Sequence, residues 1–358
     1  MIFEPMDMKK KMQQRSLSAL VLTAVCTVSA WAGNPDRAGS AGATQLLINP
    51  FARSGGWAMA NSSSLRGVES MFANVAGLAR VKKTEVSFTT TNWLQGSDVR
   101  INAFGLGQKV GESGVLGIMV SSISYGEIPI TIVDQPAGGI GTFRPTSSNI
   151  GIAYSKEFSN SIYGGIVVRA ATESVANVRA SGFCFDAGIH YVTGPTDNIH
   201  FGISLKNVGP PMKFNGDGLA VQGLLSSGSD QLTLQQRTER VELPSMMNIG
   251  AAYDLNISEL HRVTFAGNFT SNSFTKDQFM LGVEYAFKKM IHLRGAYLYE
   301  KDITDDKLRE TVFTGASGGI SVDFPFGPEK GSTLAFDYGY RATNPFSGIH
   351  QIGVRLSL

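Results

Sequence analysis

The side chains in this sequence with catalytic or metal-binding capacity are five histidines, two cysteines and a scatter of carboxylates. A hydrolytic triad needs a nucleophile, a base and an orienting acid brought together. No G-x-S-x-G elbow occurs, and His190, His200, His261, His292 and His350 are dispersed along the chain. His190 and His200 deserve the closest reading. If Gly194 to Thr196 form a three-residue turn, residues whose numbers sum to 390 face each other, and the two imidazoles project side by side. Zinc sites take three or four ligands, and Asp186 is the obvious third candidate, so the pair reads as ordinary polar side chains. Cys184 has no neighbouring base to make it a reactive thiol. The stretch "GLGQKVG" around Gly105 and Gly107 lacks dinucleotide spacing. The expectation is a protein without catalytic residues, metal or cofactor.

The elements that carry these residues are not those of a soluble enzyme. Charged residues make up 17% of the 358-residue chain, against about a quarter in ordinary domains. Glycine (41) and phenylalanine (21) are abundant, and a net charge of +2 with no basic block argues against nucleic acid as a partner. Lys9, Lys10, Lys11 and Arg15 precede an apolar run from Leu17 to Val28, and "AWAG" offers a cleavage site after Ala32. Residues 1–32 therefore read as an export signal. Cys26 follows Val25, which is not the setting of a lipoprotein box, so Cys184 is left without a disulfide partner. Beyond the signal no run reaches the eighteen or so apolar residues of a membrane helix. The remaining way across a bilayer is a closed barrel.

From Thr84 onward the chain divides into segments of about ten alternating residues, the length of a tilted membrane strand. "NIHFGISLK" sends Ile199, Phe201, Ile203 and Leu205 one way and Asn198, His200, Gly202 and Ser204 the other. "STLAFDYGYR" does the same with Leu334, Phe336, Tyr338 and Tyr340 against Ala335, Asp337, Gly339 and Arg341. Fourteen segments begin near Thr84, Asp98, Gly114, Ser147, Ser161, Ala180, Asp197, Ser245, Leu260, Asp277, Met290, Val312, Gly331 and Gly348. Tight and long connections tend to alternate, as in outer-membrane barrels with short periplasmic turns and long outer loops. The final strand, "HQIGVRLSL", stays alternating to Leu358, as a strand must if it closes on the first. The fold expected is all-β: a 14-stranded antiparallel transmembrane β-barrel over 84–358, preceded at 33–83 by an N-terminal plug segment. Leu46, Leu47, Phe51, Trp57 and Phe72 give that segment too much apolar surface for a disordered tail.

Within the plug, "GATQLLINPFARSGGWAMANSSSLRGVESMFANVAGLAR" resembles the opening motif of the PorV/PorQ family, in the wider group of FadL-like fourteen-strand barrels. The matched residues include Arg53, Gly55, Gly56, Asn74 and Gly77. Trp57-Ala58 stands where the family has Met-Gly, and Val75 replaces the proline of its Asn-Pro-Ala-Gly-Leu. The resemblance implies an outer-membrane protein of a Gram-negative, Bacteroidetes-type bacterium. It further implies a component of the type IX secretion system, binding translocon or attachment-complex proteins and secreted cargo. Arg53 is expected to meet a lumen carboxylate such as Asp186, Glu284 or Asp337.

Two long connections carry apolar residues that suit such contacts: Ile128, Ile130, Ile132 and Val133 in the first, and Leu219, Val221, Leu224 and Leu225 in the second. The alternative function is a FadL-like channel for small hydrophobic solutes, in contact with outer-membrane lipid. It requires an open plug or a lateral gap in the wall, and Gly318 and Gly319 in "GASGGIS" are a candidate position for such a gap.

Overall fold

A computed structural model describes residues 37–224, 231–326 and 331–358. The export signal at 1–32 and Leu225 lie outside the described residues. Fourteen strands form the wall: β1 (Thr84–Trp93), β2 (Val99–Val110), β3 (Gly114–Ser124), β4 (Thr146–Ser159), β5 (Ile162–Val175), β6 (Val178–Thr193), β7 (Ile199–Val208), β8 (Met246–Asn256), β9 (His261–Asn272), β10 (Gln278–Phe287), β11 (Ile291–Glu300), β12 (Phe313–Phe326), β13 (Ser332–Thr343) and β14 (Ile349–Ser357). Each pairs antiparallel with its neighbours in sequence. β1 also pairs with β14, setting Phe88 against Val354 and Val86 against Leu356, and this closes the cylinder. The Leu358 amide donates to the Thr84 carbonyl at 2.8 Å, so the last residue is held in the ladder.

Period-two alternation decides what faces where. On β7, Phe201, Ile203 and Leu205 are exposed on the outer wall, while His200, Ser204 and Lys206 are buried. The same division runs around the barrel, giving a belt of bare Phe, Ile, Leu and Val side chains that suits lipid and would be untenable in water. Among the described residues no helix is long and apolar enough to cross a membrane. Membrane crossing therefore belongs to the strands.

The lumen is filled from the N-terminal side. Residues 44–80 contain four short helical turns, Thr44–Leu47, Ala52–Gly56, Ser70–Ala73 and Val75–Arg80. Phe51, Val68, Met71, Phe72 and Leu78 pack against the inward faces of Ala103, Val115, Met119 and Val167. Burying each large side chain contributes about 1.5–3 kcal/mol, enough in sum to seat the segment firmly. Nearer the long-loop rim, the Gly42 amide donates to the Glu242 carbonyl at 2.9 Å, and Arg37 pairs with Glu242 at 2.6 Å. The described chain thus enters at the outer rim, traverses the lumen and reaches β1 at the short-turn end.

Three departures from a regular ladder are present. A bulge lies in β4–β5 near Glu157. A second lies in β6–β7, where Asn207 adopts φ +58°. The third is a larger one in β12–β13 between Phe313 and Ser317.

Candidate functional site

The residues of the plug motif are consumed by contacts inside the barrel. Asn74 accepts from the Ala76 amide and donates from its side-chain amide to the carbonyls of Ile189 on β6 and Ile203 on β7, each at 3.2 Å. Gly55 lies so close to β14 that a Cβ would come within 1.7 Å of the Gln351 side-chain oxygen. A Cβ on Gly77 would meet the Leu65 carbonyl at 2.1 Å, and one on Gly56 would reach Gly318 and Gly319 of β12 at 3.1 Å. Arg53 donates to the Arg66 carbonyl at 2.6 Å and pairs with Glu69 at 3.6 Å. Its carboxylate therefore comes from the plug itself, which corrects the expected pairing with Asp186, Glu284 or Asp337. Those three are taken by wall arginines: Asp186 by Arg169 at 2.6 Å, Glu284 by Arg294 at 3.0 Å and Asp337 by Arg355 at 3.7 Å. Burial alone would push the Glu69 carboxyl upward and the Arg53 guanidinium downward. Their mutual attraction opposes both effects; Glu69 stays raised, whereas Arg53 ends above its ordinary value.

The histidine pair is also corrected. The β6–β7 turn is five residues long, Gly194 to Asn198, with positive φ at Gly194 and Asp197. This sets Val192 opposite His200 and His190 opposite Gly202, two residues out of the expected register. His190 donates through Nε2 to the Ser62 carbonyl at 2.8 Å and anchors the plug. His200 instead meets Asp254 at 3.1 Å. No cluster of metal-ligating side chains occurs among the described residues.

The plug divides the lumen into two chambers, an inner one lined largely by charged side chains and an outer one lined by both apolar and polar side chains. The inner one, of about 150 Å³, faces the short-turn side and is lined by Arg53, His200, Asp254, Arg262, Glu284 and Arg294, among others. The outer one, of about 200 Å³, is floored by Leu47, Ala58, Met59 and Phe72 of the plug and walled by Met246, Met280, Leu298 and Phe313. Ala58 and Met59 both hold positive φ, a costly conformation for residues with a Cβ. Trp57, just before them, lines the inner chamber, while Ala58 and Met59 line the outer.

The outer chamber adjoins the point where the ladder between two wall strands ends. Pairing between β11 and β12 runs from Ile291–Val322 to Tyr297–Ala316 and stops there. Leu298, Tyr299 and Glu300 keep their β10 partners but have none on β12. Opposite them, Thr314 to Ala316 fall inside the β12–β13 bulge, with Gly315 at φ +102°. Leu298, Glu300 and Phe313 border both this seam and the chamber. Gly318 and Gly319 are not the irregular positions; both are paired in full register on either side. The absence of a side chain at Gly319 lets the helical turn Ala52–Gly56 approach the wall, where Ser317 donates to the Gly56 carbonyl at 3.2 Å.

The candidate loop residues that are described occupy the outer rim in two separate hairpins. Ile128–Pro129 pairs with Thr142–Phe143 between β3 and β4. Ile128, Ile130 and Ile132 are exposed, and Val133 is 97% exposed at the tip. Ala220–Leu224 pairs with Gln231–Gln235 between β7 and β8, with Val221 exposed and Leu219 half-buried. Four strands, β4 to β7, separate the two on the rim. The base of the second loop turns inward instead: Met212 is buried with Leu243 against Ala171, Ala180 and Cys184. Sequence reasoning passed over Lys206, Arg169 and Arg341, whose alternation marked them only as inward-facing.

These features define a class: a transmembrane β-barrel of the outer-membrane type, with fourteen strands and a luminal plug. Among solved structures the chain is similar to the CymD monoaromatic hydrocarbon channel, at 13% identity over 87% of this chain and 97% of that one, with a TM-score of 0.53. It is similar also to the Pseudomonas putida toluene transporter TodX, at 13% identity, 85% and 96% coverage and a TM-score of 0.53. The Ralstonia pickettii toluene transporter TbuX matches at 10% identity, 86% and 97% coverage and a TM-score of 0.50. At these identities the likeness is one of fold. No family model and no curated protein matches the chain.

Proposed function

We propose that the protein is a channel for small hydrophobic solutes in the outer membrane of a Gram-negative bacterium. The observation that carries this reading is the outer chamber lying beside the end of β11–β12 pairing, with Leu298, Glu300 and Phe313 bordering both. A solute in that chamber has two ways onward. Passing inward means entering a chamber lined with arginine and carboxylate, where an apolar solute of roughly 200 Å² would forfeit about 5 kcal/mol of burial at 25 cal/mol per Å². Passing sideways through the seam delivers it to lipid with no such loss. The lateral route is favoured. The names of the similar barrels, a monoaromatic hydrocarbon channel and two toluene transporters, accord with this class of solute. The test is toluene uptake into proteoliposomes containing the full-length barrel, compared with a Met280→Trp variant that fills the chamber. Uptake should fall to the level of empty vesicles in the variant; equal uptake by both proteins would refute the assignment.

A second reading is favoured by the exposed hairpin at Ile128 to Val133. Here the rim, with Leu219 to Leu225, docks a larger protein such as a type IX translocon or its cargo, as the N-terminal resemblance implies. That resemblance weighs less once its residues have been located. Asn74, Gly55, Gly56, Gly77 and Arg53 serve plug packing, so the motif describes how the barrel is filled more than what it meets outside.

A further inference from the structure

The base of the second long loop carries a group of cations on its outward side. The short strand Met212–Asn215 runs beside β6 and pairs on its other edge with a second short strand, Arg240–Val241. Asn215 lies opposite Arg179 of β6, and Lys213 lies opposite Arg240. Directly opposed residues share a face, as do residues two apart on one strand. Arg179, Lys213 and Arg240 therefore stand on one face of three adjacent strands. Ala180, Met212 and Phe214 take the other face and pack with Cys184 and Leu243, so the cations point away from the lumen. Arg179 and Arg240 are exposed, and Lys213 is half-buried.

Like charges directly opposite on neighbouring strands repel, and Lys213 against Arg240 is such a pair. No carboxylate of the protein relieves it, since none of the three cations forms an ion pair among the described residues. Glu242, two residues beyond Arg240, is held by Arg37 at 2.6 Å. Glu173 is paired opposite Ala180 and so shares its inward face. Glu239 precedes Arg240 in the chain and pairs with none of the three. The outward neighbours on β5 and β6 are neutral: Ser174 lies opposite Arg179, and the Thr172 and Ser181 hydroxyls are 3.4 Å apart. The patch is a set of donors without an acceptor.

Its height on the wall identifies the acceptor. Further down the same face of β6, Phe183 and Phe185 are exposed and meet edge to face, with ring centres 5.8 Å apart. They belong to the lipid-facing belt. Arg179 is four residues above Phe183, roughly 13 Å along the strand, and a tilt of about 35–45° makes that roughly 10 Å of height. The polar layer adds roughly 5–8 Å to each side of the hydrocarbon core, and long cationic side chains reach back toward it. We propose that Arg179, Lys213 and Arg240 bind the phosphate groups of an outer-leaflet lipid whose acyl chains lie along Phe183 and Phe185. Arginine grips phosphate through paired N–H donors and lysine as a point charge. The site is independent of what the lumen conducts.

Native mass spectrometry of the full-length barrel in detergent tests this, with diphosphoryl lipid A and the same lipid stripped of its phosphates as probes. The phosphorylated form should bind roughly tenfold or more tightly. The Arg179→Gln/Lys213→Gln/Arg240→Gln variant should bind both forms equally. Arg100→Gln, which removes an exposed cation from the outer end of β2, should leave the preference unchanged. Should the triple variant fail to give a heat-modifiable folded barrel, Lys213→Gln/Arg240→Gln leaves the wall strands untouched and should lower the preference in the same direction. Equal binding of the two lipids by the unmodified protein would overturn the proposal. So would a preference that survives the substitutions, one lost equally through Arg100→Gln, or displacement of the lipid by an equal concentration of inorganic phosphate.

Discussion

Arg169 and Asp186, both buried in the lumen on adjacent strands, meet at 2.6 Å, and the same guanidinium donates to the plug carbonyl of Met71 at 2.6 Å. A wall ion pair thereby becomes a fastening for the plug. Asp186 in turn accepts from the Asn207 amide at the β7 bulge, so one carboxylate organises both the plug contact and the local wall.

Removing half of this pair should be worse than removing both. Asp186→Ala leaves Arg169 buried without its counter-charge, at a cost of about 3–5 kcal/mol. The Arg169→Met/Asp186→Ala double variant should recover much of that loss. Urea unfolding in micelles, followed by tryptophan fluorescence and gel mobility, reads the difference. A double variant less stable than Asp186→Ala would contradict this role.

Two glycines of the plug motif should differ in tolerance. At Gly77 an added methyl meets the backbone carbonyl of Leu65, which cannot step aside. At Gly55 it meets the end of the Gln351 side chain, which can swing away by giving up its bond to the Asn49 carbonyl. Gly77→Ala should therefore loosen the plug, visible as proteolysis within residues 44–80 of an intact barrel, while Gly55→Ala should lower the melting temperature only modestly. The reverse order would show that the plug is not seated as described.

The strands were legible because alternation is a local property. Every expected strand start falls within two residues of the observed one, as with Ser161 against Ile162 and Ala180 against Val178. The β6–β7 register was not, since Asp197 takes a left-handed conformation that nothing in "GPTDN" required, lengthening the turn by two residues. Glycine gave an ambiguous signal in β12. The pair Gly318 and Gly319 resembles a kink, but Gly319 serves close packing against the plug, whereas the irregularity lies at Gly315 and at the early end of β11 pairing. Lys206 and Arg341 read in the sequence only as inward-facing; that each lies over an aromatic ring, Phe72 and Phe313, is a tertiary fact.

The rim hairpins separate the two functional readings. Replacing Ile130, Ile132, Leu224 and Leu225 with serine should leave barrel insertion and solute uptake intact if the channel reading holds. Loss of a co-purifying protein with uptake preserved would favour docking as an additional role. Loss of uptake with the outer chamber unmodified would place the entry step on these loops. Parallel pull-down and uptake assays on one preparation distinguish the outcomes.

The lateral route is the core of the account, and Tyr299 and Thr314 would be the second pair beyond Tyr297–Ala316 had the β11–β12 ladder continued. The most direct measurement is toluene uptake by proteoliposomes carrying a Tyr299→Cys/Thr314→Cys barrel, first oxidised and then reduced, with cross-linking verified by mass spectrometry. Closing the seam should abolish most of the uptake and reduction should restore it. Undiminished uptake through a fully cross-linked seam would contradict the account.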